Sequence, residues 1–187
     1  MDSIDKRLVR EVRAGDEQAF AELVELYKDK VYQVAYRMVG NVHEAQDVAQ
    51  EAFLRAYTNI DTYDIQRKFS TWLFRIATNV AIDRLRKRKP DFHLEDPVQG
   101  ADGLTIESQL AADEEPVDDQ VIQMETRDWI QQEIQALPPK YRMAVLLKYM
   151  EDLSLKEISD ILDLPVSTVK TRIHRGREAL RKRMRHV

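Results

Sequence analysis

The feature that most constrains the fold is an acidic segment near the middle of the chain that lacks any hydrophobic periodicity. From Pro90 to Asp119 there are ten Asp or Glu residues and no Lys or Arg. Residues 91–117 also contain two glycines and two prolines, which interrupt regular structure. Because low hydrophobicity and like charge keep a chain extended, this segment predicts a flexible linker. The expected organisation is a domain over residues 1–90, a linker over 91–117 and a domain over 118–187.

The segments on both sides of the linker show the three- and four-residue hydrophobic spacing of amphipathic helices. The whole chain has only five glycines and six prolines, while 43% of its residues are hydrophobic. We therefore predict an all-α protein made of two small helical domains joined by an acidic flexible linker, with a helix-turn-helix at the C-terminal end. The predicted apolar stripes of the first domain are Phe20, Leu23, Val24, Tyr27, Val31, Val34, Ala35 and Met38; Ala45, Val48, Ala49, Ala52, Phe53, Ala56, Tyr57 and Ile60; and Phe69, Leu73, Ile76, Ala77 and Val80.

Short polar residues at the predicted helix starts are suited to accept hydrogen bonds from the first backbone N–H groups. Two of them are followed three residues later by a glutamate, which is the spacing of a capping box. The predicted caps are Asp16, Asn41 with Glu44, Ser70, and Ser154 with Glu157.

The composition excludes several classes of protein. The chain has no cysteine, so disulfides, thiolate metal sites and cysteine nucleophiles are excluded. The N-terminal segment is charged throughout, unlike a secretory signal peptide. No apolar run reaches the roughly 20 residues that a membrane-spanning helix needs. We expect a cytoplasmic protein with no cofactor, no metal and no small-molecule substrate.

Residues 155–175 (LKEISDILDLPVSTVKTRIHR) have the layout of a helix-turn-helix. Asp163 occupies the turn position at which glycine is common. The last helix has an apolar face opposite a polar face, and residues 167–187 contain eight Lys or Arg and one Glu. Such a helix suits the major groove of DNA. A solvated basic helix that closes a bundle is the alternative, but the turn spacing and the apolar pattern favour DNA binding. The predicted shared core is Ile158, Leu162, Leu164, Val169 and Ile173.

The third helix of the first domain carries a second polar stripe of Trp72, Arg75, Asn79 and Arg86, with Asp83 at its margin. Trp72 could stack on an unpaired base, Asn79 could hydrogen-bond one, and the two arginines could hold the backbone. From spacing alone, a core position for Trp72 and solvent-exposed cations is the favoured interpretation.

Three strings change that balance, because they resemble the signatures of extracytoplasmic-function sigma factors of the sigma-70 family. They are DVAQEAFLRAY at 47–57, FSTWLFRIATN at 69–79 and PVSTVKTR at 165–172. The resemblance covers nearly the whole chain except the linker and is strongest to the sigma-W-like members. It implies a region 2 that docks on core polymerase and melts the −10 element, and a region 4 that recognises the −35 element.

The resemblance also implies which residues bind. The loop from Asp61 to Phe69 is expected to select a base flipped from the −10 element, and Asn79 to shape its pocket. The expected core-polymerase contacts are Asp47, Gln50, Glu51 and Phe53. The expected −10 contacts are Asp61, Thr62, Tyr63, Asp64, Lys68, Trp72, Arg75, Asn79 and Arg86. The expected −35 contacts are Ser167, Thr168, Lys170, Thr171, Arg172, His174, Arg175 and Arg177.

The implied partners are the RNA polymerase core, through the β′ clamp helices and the β flap, and promoter DNA. A membrane-anchored anti-sigma factor and a role in the cell-envelope stress response are also implied. The acidic linker could occupy a basic channel meant for RNA, because it is negatively charged as the transcript is.

Two other functions remain open at this point. A simple operator-binding regulator would use only the helix-turn-helix and leave the first domain as a sensor or dimerisation unit. A nucleic-acid enzyme would use Asp61, Asp64 and Asp83 as a metal-binding carboxylate cluster. The sequence disfavours the enzyme, because the first two suit a solvated loop and Asp83 could pair with an arginine on its own helix.

Overall fold

The computed structural model of the chain describes residues 3–88, 127–149 and 151–185. These residues form two compact units, and every regular element in those ranges is a helix, which confirms the predicted all-α fold class. The predicted linker at 91–117 lies outside the described residues. Among the described helices, none is both long and apolar enough to span a membrane.

The first unit contains four α-helices and one short 3-10 turn. In chain order they are α1 (Ile4–Arg13), α2 (Glu17–Val39), α3 (Val42–Thr58), the 3-10 turn (Ile60–Thr62) and α4 (Phe69–Arg88). The long helix α2 packs against each of the other three α-helices, and α3 also packs against α4. This arrangement puts α3 and α4, which carry two of the resemblance signatures, side by side.

Capping side chains begin two of these helices as predicted. Asp16 accepts hydrogen bonds from the backbone nitrogens of Gln18 at 2.9 Å and Ala19 at 3.4 Å. Asn41 accepts one from the Glu44 nitrogen at 3.0 Å. The prediction for Ser70 is wrong, because α4 already begins at Phe69 and Ser70 therefore lies inside the first turn.

The helix α1 was not predicted from the sequence. Its apolar side is narrow, and Leu8, Val9 and Val12 are its buried residues. The Tyr27 hydroxyl on α2 donates a hydrogen bond to Asp5 at 2.8 Å, which fixes α1 to α2. Burial, together with this bond to Asp5, raises the pKa of Tyr27 well above its usual range.

Most of the predicted core of the first unit is buried. Tyr57 is exposed, with its ring edge-on to Phe20 at 4.9 Å between centroids. The predicted core residues that are only half-buried are Phe20, Val24, Tyr27, Ala49, Phe53 and Ile76. Conversely, Phe74, Ile82 and Leu85 on α4 are buried although they were not predicted. Helix α4 is therefore covered on more than one side, which a single stripe cannot describe.

The second unit contains α5 (Arg127–Ala136), α6 (Pro139–Tyr149) and α8 (Val166–Met184). It also contains residues 155–159 of α7, a helix that runs over Leu155–Leu162. Helix α6 packs against α8, and α5 contacts both. Arg142 is buried and its guanidinium donates to the carbonyl oxygens of Ile134 at 3.2 Å, Gln135 at 2.7 Å and Leu137 at 3.1 Å. These carbonyls lie at the C-terminal end of α5, where the regular N–H donor four residues further along is missing. The Ile134 carbonyl also accepts from the Leu137 nitrogen at 3.1 Å.

The predicted helix-turn-helix is present in α7 and α8. Ser154 and Glu157 form the reciprocal capping box at 2.9 Å and 3.1 Å. Asp163 has a φ of 54°, the left-handed conformation that explains why glycine is common at this turn. The Ser159 hydroxyl donates to the Leu164 carbonyl across the turn. Of the predicted shared core, all but the half-buried Leu164 are buried.

Candidate nucleic-acid and protein interfaces

The first candidate surface is a groove of about 710 Å³ between the outer face of α3 and α4. Three of the residues predicted to contact polymerase, Asp47, Gln50 and Glu51, line this groove. Phe53 is half-buried and does not line it. Leu54, which was not predicted, projects into the groove with 58% of its surface exposed.

Ion pairs join the two walls of the groove. Arg84 on α4 lies 3.6 Å from the Asp47 carboxylate on α3. Arg88 pairs with Glu44 and also donates to the Val39 carbonyl at 3.2 Å. Both pairs are partly solvent-exposed, and such pairs contribute roughly 0–1 kcal/mol each. The acids are therefore held in place weakly enough to exchange one partner for another.

A second set of charges is centred on Arg55. Its guanidinium donates to Glu51 at 2.9 Å and lies 3.5 Å from Asp83 on α4. The hydrogen bond to Glu51 raises the pKa of Arg55 above its usual value. The prediction that Asp83 pairs with an arginine of its own helix is therefore wrong, because its partner comes from α3.

The second candidate surface is the loop between α3 and α4 with the start of α4. Asp61, Thr62, Asp64 and Lys68 are exposed, as a ligand-contacting loop requires. Tyr63 differs, because only 3% of its surface is exposed. Burial raises the pKa of Tyr63, and its hydroxyl donates to the carbonyl of Arg67. The structure thus places Tyr63 beneath the loop surface and the other four on it.

Trp72 is half-buried in an aromatic cluster at this end of α4. Its ring centroid lies 5.3 Å from that of Tyr63 and 5.6 Å from that of Phe69. The ring of Tyr27 also packs on Phe69, with 5.4 Å between the centroids. Trp72 therefore has both properties that were considered, a packed face and a partly exposed one.

Arg75, Asn79 and Arg86 are exposed along α4. Thr78, next to Asn79, is buried, so the exposed stripe is narrow and borders the core directly. The polar stripe predicted for this helix is consequently a surface feature that starts beside Trp72. It can present an amide and two guanidinium groups to a ligand that lies along the helix.

The third candidate surface is the outer side of α8. Ser167 is exposed, and the other polar residues of the predicted set are partly exposed, with one exception. Arg172 is only 6% exposed, and burial lowers the pKa of its guanidinium. It shares a side of α8 with Val169 and Gly176, both buried, three and four residues away.

Several remaining members of this surface have contacts within the chain. The Thr171 hydroxyl donates to the Ser167 carbonyl at 3.0 Å. The guanidinium of Arg177 lies 6.0 Å from the centre of the Tyr149 ring, within cation–π range. Thr168, Lys170, His174 and Arg175 lie partly exposed on the same helix. With Arg172 set apart, these residues form a polar and basic face.

The carboxylate cluster of the enzyme alternative does not form. Asp83 pairs with Arg55, and Asp61 lies 3.9 Å from Arg13. Over the ranges that the structure describes, no three acidic or histidine side chains are grouped so that they could hold a metal ion.

Family comparison accounts for both units. Residues 23–90 match Sigma-70 region 2, and residues 127–180 match Sigma-70, region 4. The two matched regions include the helices that carry the three candidate surfaces. They define a protein of the sigma-70 family, and they give the first unit a role that a simple operator-binding regulator does not require.

Curated relatives narrow the class. The ECF RNA polymerase sigma factor SigW of Bacillus subtilis (strain 168) is 58% identical over 187 residues, covering 100% of both chains. The ECF RNA polymerase sigma-E factor of Escherichia coli (strain K12) is 36% identical over 178 residues, covering 94% of this chain and 92% of the relative. The chain belongs to the extracytoplasmic-function RNA polymerase sigma factors, which direct polymerase to promoters and initiate transcription.

Solved structures share the fold. CnrH, solved in complex with the cytosolic domain of CnrY, has a TM-score of 0.70 at 23% identity, covering 98% of this chain and 99% of that one. The sigma factor RpoE from Bartonella quintana, solved with the anti-sigma factor NepR, has a TM-score of 0.65 at 20% identity, covering 89% and 96%.

Proposed function

We propose that this sigma factor uses three separate surfaces, beginning with the α3–α4 groove, which docks on the β′ clamp helices of core polymerase. The groove offers Asp47 and Glu51 as charged contacts around the exposed Leu54. An apolar centre within a polar rim is the usual anatomy of a protein–protein interface. Region 4 docks separately on the β flap.

The second surface recognises and melts the −10 element. The observation that carries this proposal is the exposed stripe of Arg75, Asn79 and Arg86 that begins beside the half-buried Trp72. Aromatic faces stack on unpaired bases, and amide and guanidinium groups bind base edges and phosphates. The exposed loop residues Asp61 and Asp64 lie at the same end of α4 and select a base that has left the duplex. Strand separation draws on binding energy, and the protein performs no covalent chemistry.

The third surface, the polar face of α8, recognises the −35 element in the major groove. Ser167 and Thr168 lie at the N-terminal end of the helix, where base edges are reached first. Arg175 lies two turns further along and supplies a donor to a base or a phosphate. Arg172 acts from inside the unit by orienting the helix, since its side chain is buried.

The protein acts in the cytoplasm, where polymerase is, and a membrane-anchored anti-sigma factor holds it until the cell envelope is stressed. An inhibitor is supported by two structures of the same fold, CnrH solved with the cytosolic domain of CnrY and RpoE solved with the anti-sigma factor NepR. Copurification of one membrane protein with this chain from unstressed cells, and its loss under envelope stress, tests this part.

The −35 assignment is tested with Arg175→Ala and the matched control Lys182→Ala. Both remove one positive charge from α8, but Lys182 lies seven residues, about 10 Å, further along the axis. Arg175→Ala is expected to weaken binding of holoenzyme to a −35 duplex about 10- to 100-fold if Arg175 contacts a base. Equal small losses for both variants, with an unchanged salt dependence, would contradict this assignment.

The −10 assignment is tested with Asn79→Ala, with Gln33→Ala on the exposed side of α2 as the control for losing an amide. Asn79→Ala should leave −35 duplex binding unchanged and slow open-complex formation on a linear promoter. A pre-melted −10 bubble should restore only part of the activity, because base selection is still impaired. Trp72 is a poorer probe, since its packing in the aromatic cluster makes Trp72→Ala a stability change as well. Normal opening by a folded Asn79→Ala protein would remove α4 as the melting surface.

A further inference from the structure

The end of α1 is fastened to the loop that connects α3 with α4. Arg13, in the last turn of α1, donates to the Ile60 carbonyl from Nη2 at 3.0 Å and from Nε at 3.3 Å. Nη2 also donates to the Tyr63 carbonyl. The same guanidinium lies 3.9 Å from the Asp61 carboxylate, and its side chain is only 28% exposed. One side chain thus spans about 50 residues of sequence and contacts three of the four residues from Ile60 to Tyr63.

A guanidinium is suited to this task because its planar group offers several donors in fixed directions. A lysine ammonium in the same place is a point charge and would hold one carbonyl less rigidly. The Ile60 and Tyr63 carbonyls lie at the two ends of the 3-10 turn. The backbone hydrogen bonds of a 3-10 turn have poorer geometry than those of an α-helix. The arginine therefore supplies bonds that the turn cannot make for itself.

The fastened turn leads directly into the aromatic cluster. Tyr63 follows the turn, its ring lies 5.3 Å from that of Trp72, and its hydroxyl donates to the Arg67 carbonyl further along the loop. A displacement of the turn would therefore move both the ring under Trp72 and the backbone of the exposed loop. Close packing transmits such shifts to neighbouring groups instead of absorbing them.

From these contacts we infer that Arg13 is a positioning residue for −10 recognition, which fixes the loop in the conformation that accepts the flipped base. The inference rests on the −10 role proposed above. Without Arg13 the loop must be ordered when the base enters, and that ordering lowers affinity for the base that fits. Bases that the loop does not fit gain no affinity from an ordered loop, so their binding changes little when Arg13 is replaced. Arg13 thereby affects base preference without touching DNA.

The test compares Arg13→Met and Arg13→Lys with the control Arg7→Met, whose arginine is exposed on the same helix and pairs with Glu11 at 3.9 Å. Each variant is assembled with core polymerase and bound to promoters that carry a pre-melted −10 bubble, with each of the four bases at the flipped position. Arg13→Met should reduce the ratio of preferred to non-preferred binding about tenfold, because a factor of that size corresponds to the loss of one to two hydrogen bonds. Arg13→Lys should reduce this ratio less. Arg7→Met should keep the wild-type ratio.

Hydrogen exchange of the free protein provides a readout that is independent of DNA. Backbone N–H groups of Thr62, Tyr63 and Arg67 are bonded within the loop, so they should exchange about tenfold faster in Arg13→Met and at the normal rate in Arg7→Met. If Arg13→Met does not fold, Arg13→Lys alone decides through both readouts. Wild-type base preference in a folded Arg13→Met protein overturns this inference and leaves the proposed function intact. An absence of base preference in the wild type overturns the proposed −10 function itself.

Discussion

Gly176 lies where α8 closely approaches α6, and this contact provides a quantitative test of the packing. A Cβ atom added to Gly176 would lie 2.5 Å from the Val145 Cγ2 atom on α6 and 3.5 Å from the Tyr141 Cβ atom. Carbon atoms in contact prefer about 3.5–4.0 Å. One of the helices, or the valine, must therefore move by about 1 Å to admit Gly176→Ala.

The magnitude follows from two opposing effects. Alanine in a helix interior is favoured over glycine by about 1 kcal/mol. Overpacking of a well-filled core costs about 1–3 kcal/mol, and the upper end applies because Val145 is only 4% exposed and a helical valine has one preferred rotamer. We expect Gly176→Ala to lower the free energy of unfolding by about 2 kcal/mol and to weaken −35 binding, because α8 carries that surface.

The assay is urea denaturation of the full chain, in which the second unit is followed by hydrogen exchange of α6 and α8. Val145→Ala removes the clashing atom and alone should cost about 2 kcal/mol. The double variant Val145→Ala, Gly176→Ala should lose less unfolding free energy than the two single variants together. The reason is that the methyl group added by Gly176→Ala occupies space that the Val145 side chain vacates. A Gly176→Ala protein that is about 1 kcal/mol more stable than the wild type would refute the packing, since only helix propensity would then be acting.

Three further results are expected. Arg142→Met should lower the stability of the second unit by about 3 kcal/mol in denaturant unfolding, because three carbonyls lose a hydrogen bond from the guanidinium. Because the pKa of Tyr27 is raised in the folded protein, its contribution to folding stability is complete below the ordinary tyrosine pKa of 10.0 and is lost as the pH rises above that value. Tyr27→Phe should therefore flatten the decline in melting temperature above pH 10 and cost about 1 kcal/mol at pH 7. At Asp163, whose φ is positive, Asp163→Ala should lower stability by about 1 kcal/mol and Asp163→Gly should not, as thermal melting will show.

Much of the fold could be predicted because local sequence rules acted without competition. The capping residues Asp16 and Asn41 and the Ser154–Glu157 pair behave as their spacing predicts. The turn at Asp163 adopts the left-handed conformation that its position in the helix-turn-helix indicates. These features depend on residues within a few positions of one another, which is the range over which sequence patterns are informative.

The remaining features depend on contacts between distant residues. Tyr63 is buried because its ring packs on Phe69 and Trp72 at the start of α4, and nothing in the loop sequence indicates it. The ion pair of Asp83 with Arg55 likewise requires the packing of α3 on α4. Arg172 is different, because its spacing from Val169 and Gly176 already placed it on the apolar side of α8. Its charge and its place in a family signature outweighed that signal in the prediction.

The central claim is that the α3–α4 groove attaches this sigma factor to core polymerase, and the affinity for core polymerase in the absence of DNA tests it most directly. Asp47→Lys with Glu51→Lys reverses two charges one helical turn apart in the groove, and Glu22→Lys with Glu25→Lys makes the same change on the exposed side of α2. Like charges at an interface cost several kcal/mol, so the groove variant should bind core at least about 100-fold more weakly while retaining its helical content. The α2 variant should bind as the wild type does. Wild-type affinity of the groove variant for core polymerase would contradict the account.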